Sequence, residues 1–286
     1  MRDSEERQYS SDWLQVGRPQ PMYCNEIDFF LKGFYPDNNI TALDVLFKQQ
    51  FFNWLTGPST NKFTGFSAFP YRDVSYGCTQ FIDDIYQRVG PNGVKVLKGD
   101  YTYHWRLNNN IQYLDIDSIE EYQLSAYKPE VIIALPFPTI GDVHPRMNEL
   151  LDKCHKYDIP VHVDGAWIGS CSDITFNFDH PAIKTFCISL SKAGMGSNRV
   201  GIRFSRDIPK GAISIMNEFN MQQQALLKVG MAFMERFPYS YLWDTYEDAY
   251  FKICYDFKLD PTKCIHLALH DGGPVGIRPL LRSLIP

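Results

Sequence analysis

The sequence predicts an α/β fold in which helices sandwich a mostly parallel sheet, with a reduced small lobe at the C-terminal end. Short apolar runs alternate with amphipathic helical segments up to residue 206, and beyond that point the pattern is mainly helical. Strands separated by helices are typical of parallel sheets, because parallel strands need long crossover connections. We therefore expect an N-terminal arm over residues 1–40, a large ligand-binding domain over 41–206 and a small lobe over 207–286.

The individual elements follow from the spacing of apolar residues. Apolar residues recur at helical spacing in five segments, which are residues 40–55, 81–89, 145–154, 216–236 and 240–258. Short apolar runs predict five strands, at residues 94–97, 131–135, 160–163, 185–188 and 200–204. In an open sheet of this kind, ligands bind beyond the carboxyl ends of the strands. The residues that follow the strands are therefore the candidate site.

Composition excludes several classes of protein. The 286 residues are 44% hydrophobic, which is ample for a buried core. A net charge of -5 without a Lys/Arg-rich run argues against nucleic acid or an anionic membrane as a partner. No apolar stretch approaches the roughly 20 residues of a membrane span, and the N-terminus lacks an apolar signal-peptide core. Seven irregularly spaced cysteines without a CxxC pair suit a cytoplasmic protein with reduced thiols and no metal site.

Polar residues follow the predicted strands where a ligand would bind. Asp164 ends one strand and Ser189 ends the next, and Lys192 and Arg199 come soon after. Residues 77–79 (Gly-Cys-Thr) precede a helix, where free backbone N–H groups and the helix dipole favour a phosphate. Singly, such residues are more often a turn former, a helix cap, a solvated lysine or a surface ion pair. Their common position at one sheet edge indicates a ligand site.

Two motifs resemble those of a known family. Ser189-x-x-Lys192, a glycine-containing loop and then Arg199 is similar to the cofactor-lysine signature of fold-type-I pyridoxal-phosphate-dependent enzymes, the aspartate aminotransferase superfamily. The stretch 161–167 (VHVDGAW) resembles the strand whose aspartate meets the pyridine ring of the cofactor. The resemblance spans roughly residues 75–203. It implies an aspartate-aminotransferase-like fold, class I/II in type, with pyridoxal 5'-phosphate as the cofactor.

The resemblance implies a role for each matching residue. Lys192 would form a Schiff base with the cofactor and move the proton at the substrate α-carbon. Asp164 would keep the pyridine nitrogen protonated, because a nearby carboxylate favours the charged form. Arg199 would clamp the phosphate with its planar fork, and Ser189 would donate a hydroxyl to it. The backbone cradle of the phosphate would come from Gly77, Cys78 and Thr79.

Aromatic residues are expected around the cofactor ring. Tyr103 is our choice for the residue that stacks on the ring, and Tyr101 and His104 are alternatives. Trp167 stands where the family often has a tyrosine, and Phe137 stands where aminotransferases have an asparagine; both family residues contact the ring oxygen. Phenylalanine cannot donate a hydrogen bond and an indole N–H can only donate. We therefore expect the hydrogen bonds to the ring oxygen of the cofactor to differ in this chain.

The C-terminal lobe of the family supplies an arginine for the substrate carboxylate. The candidates here are Arg278 and Arg282, which could equally be surface charges. The resemblance also implies a homodimer, in which the aromatic segment from Phe63 to Tyr71 reaches toward the partner's site.

Three functions remain open on the sequence alone. The first is an aminotransferase (a transferase) that acts on an amino acid or amine. The second is a pyridoxal-phosphate lyase, decarboxylase or cyclase that acts on an amino acid. The VHVDGAW stretch also resembles a motif of amino-acid decarboxylases, but Ser191 stands where those enzymes tend to have histidine. The third is a non-catalytic binding or scaffold protein on the same fold.

Overall fold

The computed structural model of the protein describes residues 15–16, 22, 24–33, 43–124 and 128–284. The strands within these residues are β1 (Gln15–Val16), β2 (Lys62–Thr64), β3 (Tyr71–Ser75), β4 (Val94–Lys95), β5 (Glu130–Ala134), β6 (Val161–Gly165), β7 (Thr175–Asn177), β8 (Ile183–Ser189), β9 (Gly201–Ser205), β10 (Asp260–Pro261), β11 (Leu267–His270) and β12 (Gly273–Gly276). The helices are α1 (Asn25–Gly33), α2 (Leu43–Leu55), α3 (Gly77–Val89), α4 (His104–Leu107), α5 (Met147–Lys156), α6 (Ala212–Glu218), α7 (Gln224–Arg236), α8 (Tyr241–Asp256) and α9 (Arg278–Leu284).

The centre of the fold is a six-stranded sheet with the order β3-β9-β8-β6-β5-β4. Strands β4, β5, β6 and β8 are parallel, and β9 runs antiparallel to both of its neighbours. Strand β3 therefore runs in the same direction as the parallel set. The predicted α/β class with a mostly parallel sheet is confirmed.

Helices cover both faces of this sheet. Val131 and Ile133 of β5 point into the larger core, which also contains apolar residues of α2, α5, α7 and α8. Ile132 lies between them in the sequence and points the opposite way, into a smaller core formed with α3 and α6. This alternation is the two-residue period of a strand, so a strand that is apolar throughout must be covered on both sides.

The predicted helices are found, with two differences. In α2 the predicted face is buried at Leu43, Phe47 and Phe51, but Leu46 is exposed. The single helix predicted over residues 216–236 is wrong, because the chain forms α6 and α7 with a turn between them. Asn220 in that turn has a φ of 53°, a left-handed conformation that asparagine tolerates better than most residues and that interrupts a helix.

A second sheet lies at the C-terminal end of the chain. It is antiparallel with the order β1-β12-β11-β10, so two residues of the predicted N-terminal arm pair with the predicted small lobe. Residues 1–14 of that arm lie outside the described residues. Helix α7 packs against α2, and α6 packs against β3. The boundaries at residues 40 and 206 stay a prediction. No helix of the described chain is long and apolar enough to cross a membrane.

The aromatic segment from Phe63 to Tyr71 packs within its own chain. Phe66 stacks on Phe178 with ring centroids 5.4 Å apart, and Phe69 lies edge-on to Phe186 at 4.8 Å. Both Phe66 and Phe69 are buried. These two side chains therefore fill the core of their own chain, and the reach of the segment toward a partner's site stays a prediction. The homodimer itself stays a prediction.

Candidate active site

A cavity opens where the carboxyl ends of β5, β6 and β8 meet the start of α3. The carboxyl ends of these three strands meet at one edge of the sheet because the strands are parallel. Most of the residues predicted to contact a cofactor line this cavity, namely Cys78, Thr79, Asp164, Trp167, Ser189, Lys192 and Arg199.

One end of the cavity brings together a guanidinium group, hydroxyl groups and the start of a helix, which suit an anion. The Arg199 guanidinium donates a hydrogen bond to the Thr79 hydroxyl. The Ser189 hydroxyl accepts the backbone N–H of Ser191 at 3.1 Å and donates to the Ser191 hydroxyl at 3.0 Å. Helix α3 begins beside these groups at Gly77, and a methyl group on Gly77 would lie 3.2 Å from Ser189 Oγ. The missing side chain leaves room for an anion next to the first N–H groups of the helix.

Asp164 lies at the end of β6 and is buried. It accepts the backbone N–H of Ala166 at 3.0 Å. Burial raises the pKa of Asp164 above its ordinary value, although the Cys78 thiol, the Ala166 N–H and the charges of Lys192 and Arg199 act in the opposite direction. A buried carboxyl group with a raised pKa favours a cationic or N–H partner in the cavity.

Lys192 lies in a wide helical turn, Ser191–Met195, that follows β8. Its side chain is largely buried, and its Nζ lies 5.7 Å from the centroid of the Trp167 ring. The cavity therefore combines a primary amine, a carboxyl group and an anion-binding end. Each of these three groups comes from a different strand end or loop.

The aromatic residue at the cavity is Tyr101 rather than Tyr103. The ring of Tyr103 stacks on that of Tyr101 at 5.8 Å, and the Tyr103 hydroxyl donates to Asp83 at 2.8 Å. The third candidate, His104, is buried and makes a hydrogen bond of 3.1 Å with the Tyr86 hydroxyl. Of the three residues considered for stacking on a ring, only Tyr101 lines the cavity in the described chain.

Sequence reasoning missed Asp100, which holds Tyr101 at the cavity. The Asp100 carboxylate accepts the backbone N–H of Tyr101 at 2.5 Å and that of Ala134, at the end of β5, at 3.0 Å. Burial, together with the nearby charge of Asp164, raises the pKa of Asp100 to about 7. Two peptide N–H groups partly offset this effect. Asp100 thereby ties the Tyr101 loop to the sheet edge.

Phe137 does not line the cavity. Its ring is buried and lies edge-on to His144 at 4.8 Å. The neighbouring Pro136, which follows a cis peptide bond, and Pro138 line the cavity instead. At this position the chain presents proline rings where the resemblance places an amide donor.

The two candidate arginines occupy different environments. Arg278 begins α9 and is half-buried, whereas Arg282 lies one turn later and is exposed. Burial lowers the pKa of the fully buried His266 well below its ordinary value, and the nearby charges of Lys192 and Arg278 lower it further. The His266 ring lies edge-on to Trp167 at 4.7 Å. Arg278 is therefore the candidate near the cavity wall.

Solved structures match this chain, although its sequence matches no protein-family model and no curated protein. Tyrosine aminotransferase from Leishmania infantum matches with a TM-score of 0.62 and 13% identity, over 98% of this chain and 99% of that one. A PLP-bound C-S lyase from Staphylococcus hominis matches with a TM-score of 0.59 and 15% identity, over 85% and 70%. A probable N-succinyldiaminopimelate aminotransferase from Thermus thermophilus matches with a TM-score of 0.60 and 12% identity, over 91% and 80%.

These matches confirm the fold. The chain has the aspartate-aminotransferase-like architecture that the two motifs implied, and the resemblance to fold-type-I pyridoxal-phosphate-dependent enzymes is confirmed at the level of the fold. At this low identity the similarity of structure does not carry a reaction with it.

Proposed function

We propose that this protein is a pyridoxal-phosphate-dependent enzyme and that it acts as an aminotransferase on an amino acid or amine. The observation that carries the proposal is the arrangement of Lys192, Asp164 and Arg199 around one cavity. A scaffold protein needs no such set, since the burial of charged groups is unfavourable. Their position at the carboxyl edge of the sheet is where this architecture binds ligands.

The donors and acceptors of the cavity fit the proposed cofactor. Its phosphate group suits the anion-binding end, where Arg199, Thr79 and Ser189 converge beside the first turn of α3. Its pyridine nitrogen suits Asp164, because the raised pKa of that buried carboxyl group is relieved by an N–H or cationic partner. Tyr101 and Ala166 line the cavity and would contact the ring.

When bound, pyridoxal phosphate supplies an aldehyde for covalent attachment and a ring that accepts electrons from the substrate α-carbon. The Lys192 amine would attach to the cofactor and move the proton at the α-carbon. Asp164 would hold the proton at the ring nitrogen. Arg199 and Thr79 fix the phosphate, and the Trp167 indole excludes water from the side of the cavity that faces Lys192.

A lyase is the second candidate function. A C-S lyase is among the solved structures with this fold, and nothing about the fold separates the two reactions. The residue before Lys192 is Ser191, which lines the cavity. A serine at this position favours a transaminase over a decarboxylase by resemblance, because the decarboxylases tend to have histidine there.

The cofactor site is tested by incubating the purified protein with pyridoxal phosphate, reducing it with borohydride and mapping the labelled peptide. We expect a pyridoxyl group on Lys192, no label in Lys192→Arg, and full labelling in Lys210→Arg, which changes an exposed lysine. A protein that gains no label, or that gains it equally in Lys192→Arg, would contradict the proposal and leave a binding or scaffold role.

The reaction is tested separately on unreduced protein that has been incubated with pyridoxal phosphate. An aminotransferase makes more than one equivalent of oxo acid per site only when a second oxo acid is present, because the amino group first passes to the cofactor and must then be taken up by that acceptor. A lyase or decarboxylase releases an eliminated group or carbon dioxide without that acceptor. Dependence of product formation on the added oxo acid therefore separates the two candidate reactions.

A further inference from the structure

Tyr103 lies behind Tyr101, the aromatic residue that lines the cavity. The two rings are stacked, with 5.8 Å between their centroids and 26° between their planes. The Tyr101 ring also lies edge-on to His104 at 6.4 Å. Stacked aromatic rings constrain each other's orientation, because the attraction depends on the directions of their quadrupoles. The orientation of Tyr101 therefore depends on where Tyr103 is held.

Helix α3 holds Tyr103 in place. The Tyr103 hydroxyl donates a hydrogen bond to the Asp83 side chain at 2.8 Å. Asp83 lies on α3 about one turn after Thr79. The Thr79 hydroxyl accepts a hydrogen bond from Arg199 at the anion-binding end of the cavity. One helix therefore carries both the anion-binding end and the anchor of the tyrosine stack, and it keeps the two at a constant separation.

The Tyr103 hydroxyl stays a donor at neutral pH. Burial raises the pKa of Tyr103 to about 12, and the hydrogen bond to Asp83 and the charge of that residue contribute to the increase. The charge of Arg199 acts in the opposite direction, so the hydroxyl lies within electrostatic reach of the anion-binding end. A phenol that donates to a carboxylate makes a charge-assisted hydrogen bond, which is stronger than a neutral one. The link between the stack and α3 therefore persists through the neutral pH range.

We propose that Tyr103 and Asp83 are positioning residues that set the Tyr101 ring against the ring of the cofactor. This inference rests on the proposed function and gives two residues behind the cavity wall a part in binding the cofactor. The phosphate would be held at the start of α3 and the stack one turn later. The helix would therefore set the separation at which a ring joined to that phosphate meets Tyr101.

The test compares a probe that has the ring with one that lacks it. Deoxypyridoxine phosphate is the cofactor analogue in which a methyl group replaces the aldehyde, so it cannot attach to Lys192. Inorganic phosphate occupies the anion-binding end alone. Both dissociation constants are measured by calorimetry on the full chain freed of cofactor, with inorganic phosphate in competition with the analogue.

Tyr103→Phe keeps the ring and removes the hydroxyl. We expect it to raise the dissociation constant of the analogue by roughly threefold to tenfold, which is the effect of one hydrogen bond, and to leave that of inorganic phosphate unchanged. Asp83→Ala should give the same result, and the two changes together should be no worse than either alone, since they remove the same bond. Tyr255→Phe, which changes a tyrosine that is 86% exposed, should bind as the wild type.

A change that acts only through the Tyr101 ring must lose its effect when that ring is absent. We therefore expect Tyr103→Phe to leave the affinity for the analogue unchanged in a Tyr101→Leu background. A merely structural role would lower the free energy of unfolding without this dependence on Tyr101. The circular dichroism of bound pyridoxal phosphate, which reports the setting of its ring, should change in Tyr103→Phe but not in Tyr255→Phe.

The outcomes separate this inference from the proposed function. An unchanged affinity for the analogue in both Tyr103→Phe and Asp83→Ala overturns the positioning role while the cofactor site stands. Equal losses in the wild-type and Tyr101→Leu backgrounds, or equal weakening of the analogue and of inorganic phosphate, overturn it as well. A wild-type protein that binds the analogue no more tightly than inorganic phosphate overturns the proposed function, and this inference with it.

Discussion

Lys192 and Trp167 form one wall of the cavity, with the lysine Nζ 5.7 Å from the centroid of the indole ring. The same indole lies edge-on to His266, at 4.7 Å between ring centroids and 80° between ring planes. Trp167 therefore packs between the amine that we propose to hold the cofactor and a fully buried histidine. The shape of the cavity at this wall depends on a single large side chain.

Replacement of Trp167 should be costly because its ring is packed on two sides. We expect Trp167→Ala to lower the free energy of unfolding by about 3 kcal/mol, as for other large buried aromatic residues, and Trp167→Phe to lower it by less. Urea denaturation measures both. Trp105→Ala is the matched control, because Trp105 is about half exposed and surface replacements change stability by about 0.5 kcal/mol or less. Equal losses at the two tryptophans would contradict the packing role of Trp167.

Removal of the Arg199 guanidinium should weaken the binding of pyridoxal phosphate but not that of pyridoxal, which lacks the phosphate. We expect Arg199→Gln to raise the dissociation constant of pyridoxal phosphate by roughly 10- to 100-fold, since a hydrogen bond to a charged group contributes about 1.5–3 kcal/mol. Fluorescence titration with both compounds measures the difference. Arg106→Gln changes an exposed arginine and is the control. Equal weakening for both compounds would place Arg199 away from the phosphate.

Gly77 and Gly90, at the two ends of α3, both have a positive φ but differ in how closely other atoms surround them. Their φ angles are 76° and 83°, so alanine is strained at both positions. A methyl group on Gly90 meets no atom of the described chain within 4 Å, whereas one on Gly77 approaches Ser189 Oγ and Arg199 Nε. Both variants should lose stability, by roughly 1–3 kcal/mol, but only Gly77→Ala should bind pyridoxal phosphate more weakly. Equal affinities would show that the anion site does not extend to Gly77.

The sheet and the position of its ligand edge could be predicted because they depend on local pattern. The apolar run of β5 and the aspartate at the end of β6 are visible in the sequence, and parallel strands bring their ends together by geometry. The break between α6 and α7 was missed, since Asn220 gives only a weak local signal within a helical pattern.

Other parts of the site depend on tertiary contacts and could not be predicted from the sequence. Tyr101 and Tyr103 are two residues apart and chemically identical, so the sequence does not show which of them lines the cavity. Asp83 accepts a hydrogen bond from the Tyr103 hydroxyl. Asp100 accepts the backbone N–H of Tyr101. His266 belongs to no motif, and its position follows from residues far away in the chain. Its contact with Trp167 is visible only in the structure.

Asp100 should make the stability of the protein fall as the pH rises. Its pKa in the folded protein is about 7, above the ordinary value of 3.8, because burial favours the neutral carboxyl group. The stability contributed by the neutral form is therefore complete below about pH 4 and is lost as the pH rises to about 7. We expect Asp100→Asn, which stays neutral, to show a smaller decrease in unfolding free energy over this range than the wild type, by urea denaturation. Asp207→Asn changes an exposed carboxylate and should follow the wild type. Parallel curves for the wild type and Asp100→Asn would mean that Asp100 ionises in the folded protein as it does in the unfolded chain.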